Sequence, residues 1–228
     1  MPTPTVENYI KRLYAEQQRL GEEALVPMGR LAELMAVVPG TATSMVKTLA
    51  EARLVDYEPR SGVRLTAQGR ALALHVLRRH RIIEAFLVDM LGMDWSEVHD
   101  EAEELEHVVS DKVLERLDAV LGRPRVDPHG DPIPAASATR EPRCASSGAL
   151  PDVPEGAATT IARIIEQDAP FLRFLAKHGL TPGATVTVLH RDALADSQTV
   201  QADGHAPVTL GTTAAARVHV HDPSPSRD

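Results

Sequence analysis

The chain has 228 residues, of which 43% are hydrophobic and 25% are charged, a composition typical of folded globular proteins rather than of disordered or fibrous ones. It contains no run of 18 apolar residues, so the sequence predicts no transmembrane helix. The polar N-terminal segment predicts no export signal. A single cysteine cannot form an internal disulfide, which favours a cytoplasmic location.

The net charge of -8 at first argues against a nucleic-acid partner, because phosphates repel an acidic protein. The charge is unevenly distributed, however. Residues 1–66 carry eight Lys/Arg and eight Asp/Glu, whereas residues 67–121 carry six Lys/Arg and twelve Asp/Glu. Divalent cations bound in the acidic stretch would offset part of this charge and make phosphate binding more favourable.

The chain divides into five stretches by composition and hydrophobic period. Residues 1–66 predict short helices that end in a hairpin, and residues 67–134 predict amphipathic helices. Residues 135–157 are rich in Pro, Ser and Ala and predict a linker. Residues 158–221 carry short Val/Thr-rich strands, and residues 222–228 predict a disordered tail. The fold class is therefore mainly α with a small β domain.

The first stretch has the order helix, turn, helix, hairpin. Apolar spacing predicts helices over 28–35 and 41–52, with a helix breaker at 39–40. Two strands, 54–58 and 63–66, flank turn residues. This order predicts a winged helix-turn-helix.

In such a unit the second helix enters the major groove of DNA. Short hydroxyl side chains near its start suit phosphates or base edges, and basic side chains suit phosphates. The alternative is that the threonines only cap a helix and that the arginines are solvated. The candidate DNA-binding residues are Pro39, Thr41, Thr43, Ser44, Lys47, Arg60 and Arg64.

A second pattern combines histidines with carboxylates. One predicted helix, beginning after Thr66, places two of them four residues apart on one face. A following helix, beginning near residue 94 or 96, places four more in one sector. Imidazole and carboxylate ligands without thiolate suit Mn(II), Fe(II), Co(II), Ni(II) or Zn(II). The alternative is a solvated acidic face. The candidate ligands are His80, Glu84, His99, Glu103, Glu106 and His107.

At these residues the chain resembles the iron- and manganese-dependent repressors of the diphtheria toxin repressor type. The segments that carry the resemblance are ENYIKRLY (7–14), GRALALHVLRRHRIIEAFL (69–87), HDEAEELEHVVSDK (99–112) and PHGDPIP (128–134). The resemblance implies a winged helix, a helical dimerisation and metal-binding domain, and a C-terminal SH3-like (FeoA-like) β-barrel. It also implies a homodimer that binds double-stranded DNA at a palindromic operator.

The resemblance further implies two metal ions per subunit. One site would use His80, Glu84 and His99, with Gln167 and Asp168 as candidates from the β domain. The second would use Glu103, Glu106, His107 and Asn8. Glu103 stands where the iron-sensing prototype has a cysteine, and Lys11 stands where some manganese sensors have a further acid. We therefore expect Mn(II) as the activating metal, with Fe(II) as the second choice.

The sequence is compatible with three functions. The favoured one is a metal-dependent repressor of metal-uptake genes, of either the manganese or the iron branch. A di-metal hydrolase or oxidase would use the same ligands but would leave the winged helix without a purpose. A metal-independent transcription factor would use the acidic face to recruit a partner.

Overall fold

The computed structural model describes residues 2–140, 142, 148–165 and 168–221. The candidate ligand Gln167 and the predicted tail, 222–228, lie outside this part of the chain. The chain folds as two units, and the division falls inside one long helix, after His80. The first unit comprises residues 1–80, 104–111 and 133–142, and the second comprises residues 81–103, 112–132 and 143–228.

The first unit begins with three helices, α1 (Pro4–Leu20), α2 (Met28–Leu34) and α3 (Pro39–Glu51). Thr3 caps α1, since its hydroxyl accepts a hydrogen bond from the backbone N–H of Val6 at 3.4 Å. The prediction of a breaker at 39–40 is wrong, because α3 begins at Pro39. Proline is favoured at this first helical position, where its missing N–H costs no intrahelical bond.

The hairpin follows the helices as predicted, to within one residue at each end. Strands β1 (Val55–Glu58) and β2 (Gly62–Leu65) pair antiparallel, and Val26 forms a further bridge with Val63. Gly62 has φ 149°, and a Cβ there would lie 2.6 Å from the Val26 carbonyl oxygen. Only glycine allows this approach, which brings the wing against the segment before α2.

The core of this unit combines apolar side chains from α1 to α3 with those of the wing and of the long helix that follows it. Its fully buried large residues include Ile10, Leu13, Leu31, Leu49 and Leu74. One buried polar group, Gln17, fastens the wing to α1. Its amide donates to the carbonyls of Glu22 and Ala24, at 3.0 Å each, and its oxygen accepts from the N–H of Leu65 at 3.1 Å.

Helix α4 (Ala67–Asp89) is capped by Thr66, whose hydroxyl accepts from the N–H of Gly69 at 3.1 Å. It is followed by α5 (Val98–Leu105) and α6 (Asp111–Val120). The expectation that α5 continues through 106–107 is wrong. The helix ends at Leu105, whose carbonyl accepts from the N–H groups of both residues 108 and 109. Consecutive valines there have lower helix propensity.

The rest of the second unit is built on an antiparallel sheet. In the order in which they neighbour one another, its strands are β3 (Gly148–Ala149), β8 (Val218–Val220), β4 (Ala158–Ile164), β5 (Thr185–Asp192), β6 (Ser197–Ala202) and β7 (Val208–Gly211). A 3₁₀ helix at Leu150–Asp152 lies inside the segment interpreted as linker, and Leu150 and Val153 are buried in the core of the sheet. Helix α7 (Ala169–Lys177) follows β4 in the chain, and the short helix α8 (Thr212–Ala215) follows β7. Among the described residues, no helix is both long and apolar enough to span a membrane.

Candidate metal centre and DNA-binding surface

Helix α3 has one buried face and one solvent-facing face. Ala42, Val46 and Leu49 are buried, which leaves Thr41, Ser44 and Lys47 exposed on the opposite side. Pro39 is also exposed, at the N-terminus of the helix. Thr43 is half-buried as a residue, and its hydroxyl donates to the carbonyl of Pro39 at 2.8 Å. Sequence reasoning did not include Thr48, which is exposed on the same face.

The two candidate arginines of the wing differ in their surroundings. Arg60 lies exposed in the turn between β1 and β2, with φ 70°. Arg64 is half-buried and forms ion pairs with Asp56 at 3.5 Å and with Glu58 at 3.9 Å. The charge of Arg64 is therefore partly neutralised within the wing, so Arg60 is the stronger candidate for a phosphate contact.

In the first unit, Glu106 is the centre of a buried charged cluster. The Lys11 ammonium donates to both carboxylate oxygens, at 2.9 Å each, and His80 Nδ1 lies 2.7 Å from Oε2. Burial alone would raise the pKa of Glu106, but the hydrogen bond to His80 and the charge of Lys11 outweigh burial and lower it. A hydrogen bond from Nδ1 to a carboxylate leaves Nε2 as the ring atom available to a metal.

His107 connects the segment after α5 to α1 within the same unit. Its Nδ1 lies 2.7 Å from Oε2 of Glu7, and its Nε2 lies 2.9 Å from Oδ1 of Asn8. Glu7 is in turn held by the Arg79 guanidinium at 3.1 Å. The structure thus brings Asn8 and His107 together, as the resemblance implies. Sequence reasoning did not predict that Glu7 contacts His107 or that Lys11 contacts Glu106.

In the second unit, Glu84 and His99 lie together. Glu84 is fully buried, and its Oε1 lies 3.3 Å from Nδ1 of His99, which is 31% exposed. When two ligand atoms each lie about 2.1 Å from one ion, they are separated by about this Glu84–His99 distance if the ligand–ion–ligand angle is ~100°. Glu103 Oε1 lies 3.6 Å from His99 Nε2. His80 precedes Glu84 by about one turn of α4, on the same face.

The side chain of Asp168, a candidate ligand from the β domain, caps a helix. It is exposed and caps α7, because its Oδ2 accepts from the N–H of Phe171 at 3.1 Å. Asp168 belongs to neither group of potential metal ligands found in residues 2–140, 142, 148–165 and 168–221. The donors near Glu84 come instead from the loop after α6, in Asp127 and His129. No periodic pattern marks these two residues, so sequence reasoning missed them.

The surroundings of Asp127 show how much charge is buried near Glu84. Burial, followed by the charges of Glu84 and Asp131, raises the pKa of Asp127 to about 7. Burial alone would lower the pKa of His129, but Glu84 and Asp127 outweigh it and raise that pKa. The residues around Glu84 and, separately, those around Glu106 therefore each fit a divalent metal ion, because carboxylates and imidazoles are donors that such ions bind.

Three family models match successive parts of the chain. The N-terminal DNA-binding domain of iron dependent repressors matches residues 1–63, and their metal binding and dimerisation domain matches residues 66–135. The FeoA domain matches residues 149–222. The iron-dependent repressor IdeR of Mycobacterium tuberculosis is 34% identical over 217 residues, which cover 90% of this chain and 92% of that protein. The diphtheria toxin repressor of Corynebacterium efficiens is 33% identical, with 82% and 83% covered.

Solved structures give the same result. A manganese-dependent transcriptional repressor in complex with manganese is 40% identical, covers 95% of this chain and 99% of its own, and superposes with a TM-score of 0.82. The manganese regulator SloR is 32% identical, with 97% and 99% covered and a TM-score of 0.72. Members of this family are transcriptional repressors and not enzymes, which removes the di-metal enzyme from consideration. The chain belongs to the iron-dependent repressor family of IdeR and the diphtheria toxin repressor, and it is a metal-dependent, DNA-binding repressor.

Proposed function

We propose that this chain is a cytoplasmic repressor of metal-uptake genes, activated by Mn(II) in preference to Fe(II), that binds a palindromic operator as a homodimer. The observation that carries the metal response is the contact between α1 and the segment after α5. Asn8 and Glu7 of α1 meet His107 at 2.9 Å and 2.7 Å. A metal ion at these groups would fix the position of the first helix of the DNA-binding domain.

Two ions per subunit are proposed. His80, Glu84 and His99 would hold the first ion, and Asp168 and Gln167 stay weaker candidates for completing it. Asn8, Glu103, Glu106 and His107 would hold the second. The bound ion would supply positive charge and fixed ligand directions, and these residues would supply the ligand atoms that hold it.

Lys11 gives the second proposed site a feature of its own. Its ammonium takes both oxygens of Glu106 at 2.9 Å, and its side chain is only 9% exposed. An ion that binds Glu106 must therefore displace a buried ammonium. We infer that Lys11 sets the metal concentration at which the repressor responds.

The metal preference rests on the donor set. All seven candidate ligands offer imidazole nitrogen, amide oxygen or carboxylate oxygen, and hard oxygen donors favour Mn(II) relative to a site with sulfur. Two of the similar structures are described as manganese-dependent or manganese regulators. Zn(II) binds such donors more tightly than Mn(II) in the general affinity order, so the response must be selected by coordination geometry and metal availability.

Dimerisation is proposed through the exposed apolar side chains of α6 and of the segment directly after α4. Val113 and Val120 of α6 are 48% and 61% exposed, and Met90 and Leu91 are 51% and 59% exposed. Exposed apolar side chains mark an interaction surface when they form a contiguous patch, and we propose that these four side chains contribute to such a patch. Sedimentation at micromolar concentration should give a dimer, and Val113→Glu with Val120→Glu should give a monomer. A monomeric wild-type chain would contradict the proposal.

Binding to a random pool of double-stranded DNA tests the proposed function. Wild-type protein is incubated with the pool in the presence of Mn(II), anaerobic Fe(II), Zn(II) or chelator. We expect a palindrome to be selected with Mn(II) and not with chelator. Selection with Fe(II) alone would move the protein to the iron branch, and equal selection with chelator would favour a metal-independent factor.

A further inference from the structure

The hairpin formed by β5 and β6 borders a small cavity in the second unit. The cavity has a volume of about 180 Å³, and Pro151 of the 3₁₀ helix and Thr212 of α8 also line it. The hairpin turn is tied to the start of α8, because the carbonyl oxygen of Asp196 accepts from the N–H of Thr212 at 3.0 Å. None of the described candidate metal or DNA-binding residues lines this cavity, so the proposed repressor mechanism does not use it.

A β-bulge in β5 places Arg191 beside Gln198. Val186 and Val188 are buried, and a period of two would continue the buried face to His190, yet His190 is exposed. The register of β5 on β6 shifts between Val188 and His190. Beyond the shift, Arg191 pairs directly with Gln198. Directly opposite side chains share one face of a sheet, with Cβ atoms about 4.5–5.5 Å apart, and bulges re-aim side chains in this way. The guanidinium and the amide are therefore neighbours at the cavity.

Both neighbours present buried N–H groups that lack an acceptor. Gln198 is 3% exposed, and neither its Nε2 nor the Nε of Arg191 has a hydrogen-bond partner within the described part of the chain. The guanidinium is held in place through another of its nitrogens, since Nη2 donates to the carbonyl of Val153. Buried donors are costly unless an acceptor meets them, and a guanidinium nitrogen beside an amide nitrogen suits the two oxygens of a carboxylate.

The other charged groups around the cavity favour a ligand that also carries a positive charge. Asp192 and Asp196 line it together with Arg191, so two carboxylates and one guanidinium leave a net negative charge. Oδ1 of Asp192 accepts from the N–H groups of residues 194 and 195 at 3.0 Å each, which fixes that carboxylate at the hairpin turn. The net charge repels a simple anion and attracts an ammonium group. The cavity therefore suits a small molecule that has both a carboxylate and an ammonium.

We propose that this cavity binds a free α-amino acid with a small side chain. Arg191 Nε and Gln198 Nε2 would donate to its carboxylate, and the carboxylates of Asp192 and Asp196 would accept from its ammonium. The volume is sufficient, because 180 Å³ is room for about six waters at about 30 Å³ each, and glycine or alanine would replace them. The β domain would thereby respond to a small metabolite through a site separate from the metal ligands.

Side-chain NMR signals of the full, metal-free chain test the proposal. Glycine, alanine, acetate, methylammonium and glycerol are titrated in turn at constant ionic strength, and the signals followed are the side-chain amide of Gln198 and the Nε–H of Arg191. We expect saturable shifts with glycine and alanine. Acetate and methylammonium each lack one set of charge-assisted hydrogen bonds, so they should bind about 10-fold or more weakly than glycine. The proposal is overturned if neither amino acid gives a saturable shift, or if acetate or glycerol binds as tightly as glycine.

Variants at both ends of the cavity complete the test. Gln198→Leu should bind glycine about 10-fold more weakly. Gln201→Leu is the matched control on the opposite face of β6, where the amide already donates to the carbonyl of His205 at 2.8 Å, and it should bind glycine as wild type does.

Asp196→Asn keeps the experiment decisive should Gln198→Leu fail to fold. Asp196 is exposed with φ 45°, a conformation that asparagine tolerates. The variant should weaken glycine binding and leave acetate binding no weaker. Wild-type affinity for glycine in either folded variant would overturn the proposal. Neither metal nor DNA is present, so failure of the repressor mechanism is seen separately in the DNA-pool experiment.

Discussion

Lys11→Met is the substitution that most sharply tests the role of the buried ammonium. Methionine keeps the apolar stem of lysine and removes the charge that both oxygens of Glu106 accept at 2.9 Å. Without metal, Glu106 is left with its hydrogen bond to His80 at 2.7 Å. We therefore expect lower stability of the metal-free protein and tighter metal binding.

Both effects have a magnitude that follows from the structure. Removing one partner of a buried ion pair costs about 3–5 kcal/mol. The remaining bond to His80 and the 9% exposure of Lys11 place this cost near the lower end, at about 3 kcal/mol. An ion entering the wild-type site must break at least one charge-assisted hydrogen bond, worth about 1.5–3 kcal/mol. The variant should therefore bind metal about 10- to 150-fold more tightly.

Urea unfolding in chelator measures the first effect, and competition with a chromophoric chelator measures the second. Arg12→Met, a loss of the same charge from the next, exposed position of α1, is the control and should change neither quantity by much. Metal affinity of Lys11→Met equal to or weaker than that of wild type would refute the reasoning, since the ammonium would then not compete with metal.

Three further predictions concern the winged helix. Gln17→Ala should cost about 1–3 kcal/mol in urea unfolding, because it leaves the buried N–H of Leu65 without its acceptor and removes the amide donor from the carbonyls of Glu22 and Ala24, whereas the exposed neighbour Gln18→Ala should cost little; equal costs would contradict the role of Gln17. Arg19 and Arg30 lower the pKa of Glu16 to about 2, so its stabilising effect is complete above the unfolded pKa near ~4.5 and is lost as pH falls through about 2. Glu16→Gln should flatten the stability loss in that pH window, and a profile parallel to wild type would contradict this. Lys47→Ala should weaken operator and random DNA alike and lower the salt slope by about 0.9; weakening of the operator alone would indicate base recognition instead.

The winged helix could be predicted from the sequence because its signals are local. Hydrophobic spacing and turn residues located α2, α3 and both strands to within one or two residues. Position 39 was misjudged, since proline both breaks helices and starts them, and only the tertiary setting decides between the two. The end of α5 was missed for a related reason. The side chains of Glu106 and His107 are held by α1, about a hundred residues earlier, and a helical wheel contains no such contact.

The sequence predicted the residue types of the candidate site better than it predicted the contacts that these residues make. The histidine–carboxylate spacing on α4 and α5 indicated Glu84 and His99, which the structure brings together. The buried position of Lys11 on Glu106 could not be predicted, because a lysine on a helix is ordinarily solvated. His129 lies between a proline and a glycine in a loop, where burial depends on long-range packing against β4 rather than on any local period.

We propose that metal gates DNA binding through the contact of α1 with Glu106 and His107. The most direct test of this proposal is the affinity of wild-type protein for the selected operator, measured in Mn(II) and in chelator at one fixed salt concentration. We expect about 5- to 150-fold tighter binding with Mn(II), the range that typical coupling free energies give, and an equal tightening of Mn(II) binding by operator DNA. Equal operator affinity in Mn(II) and in chelator would contradict it.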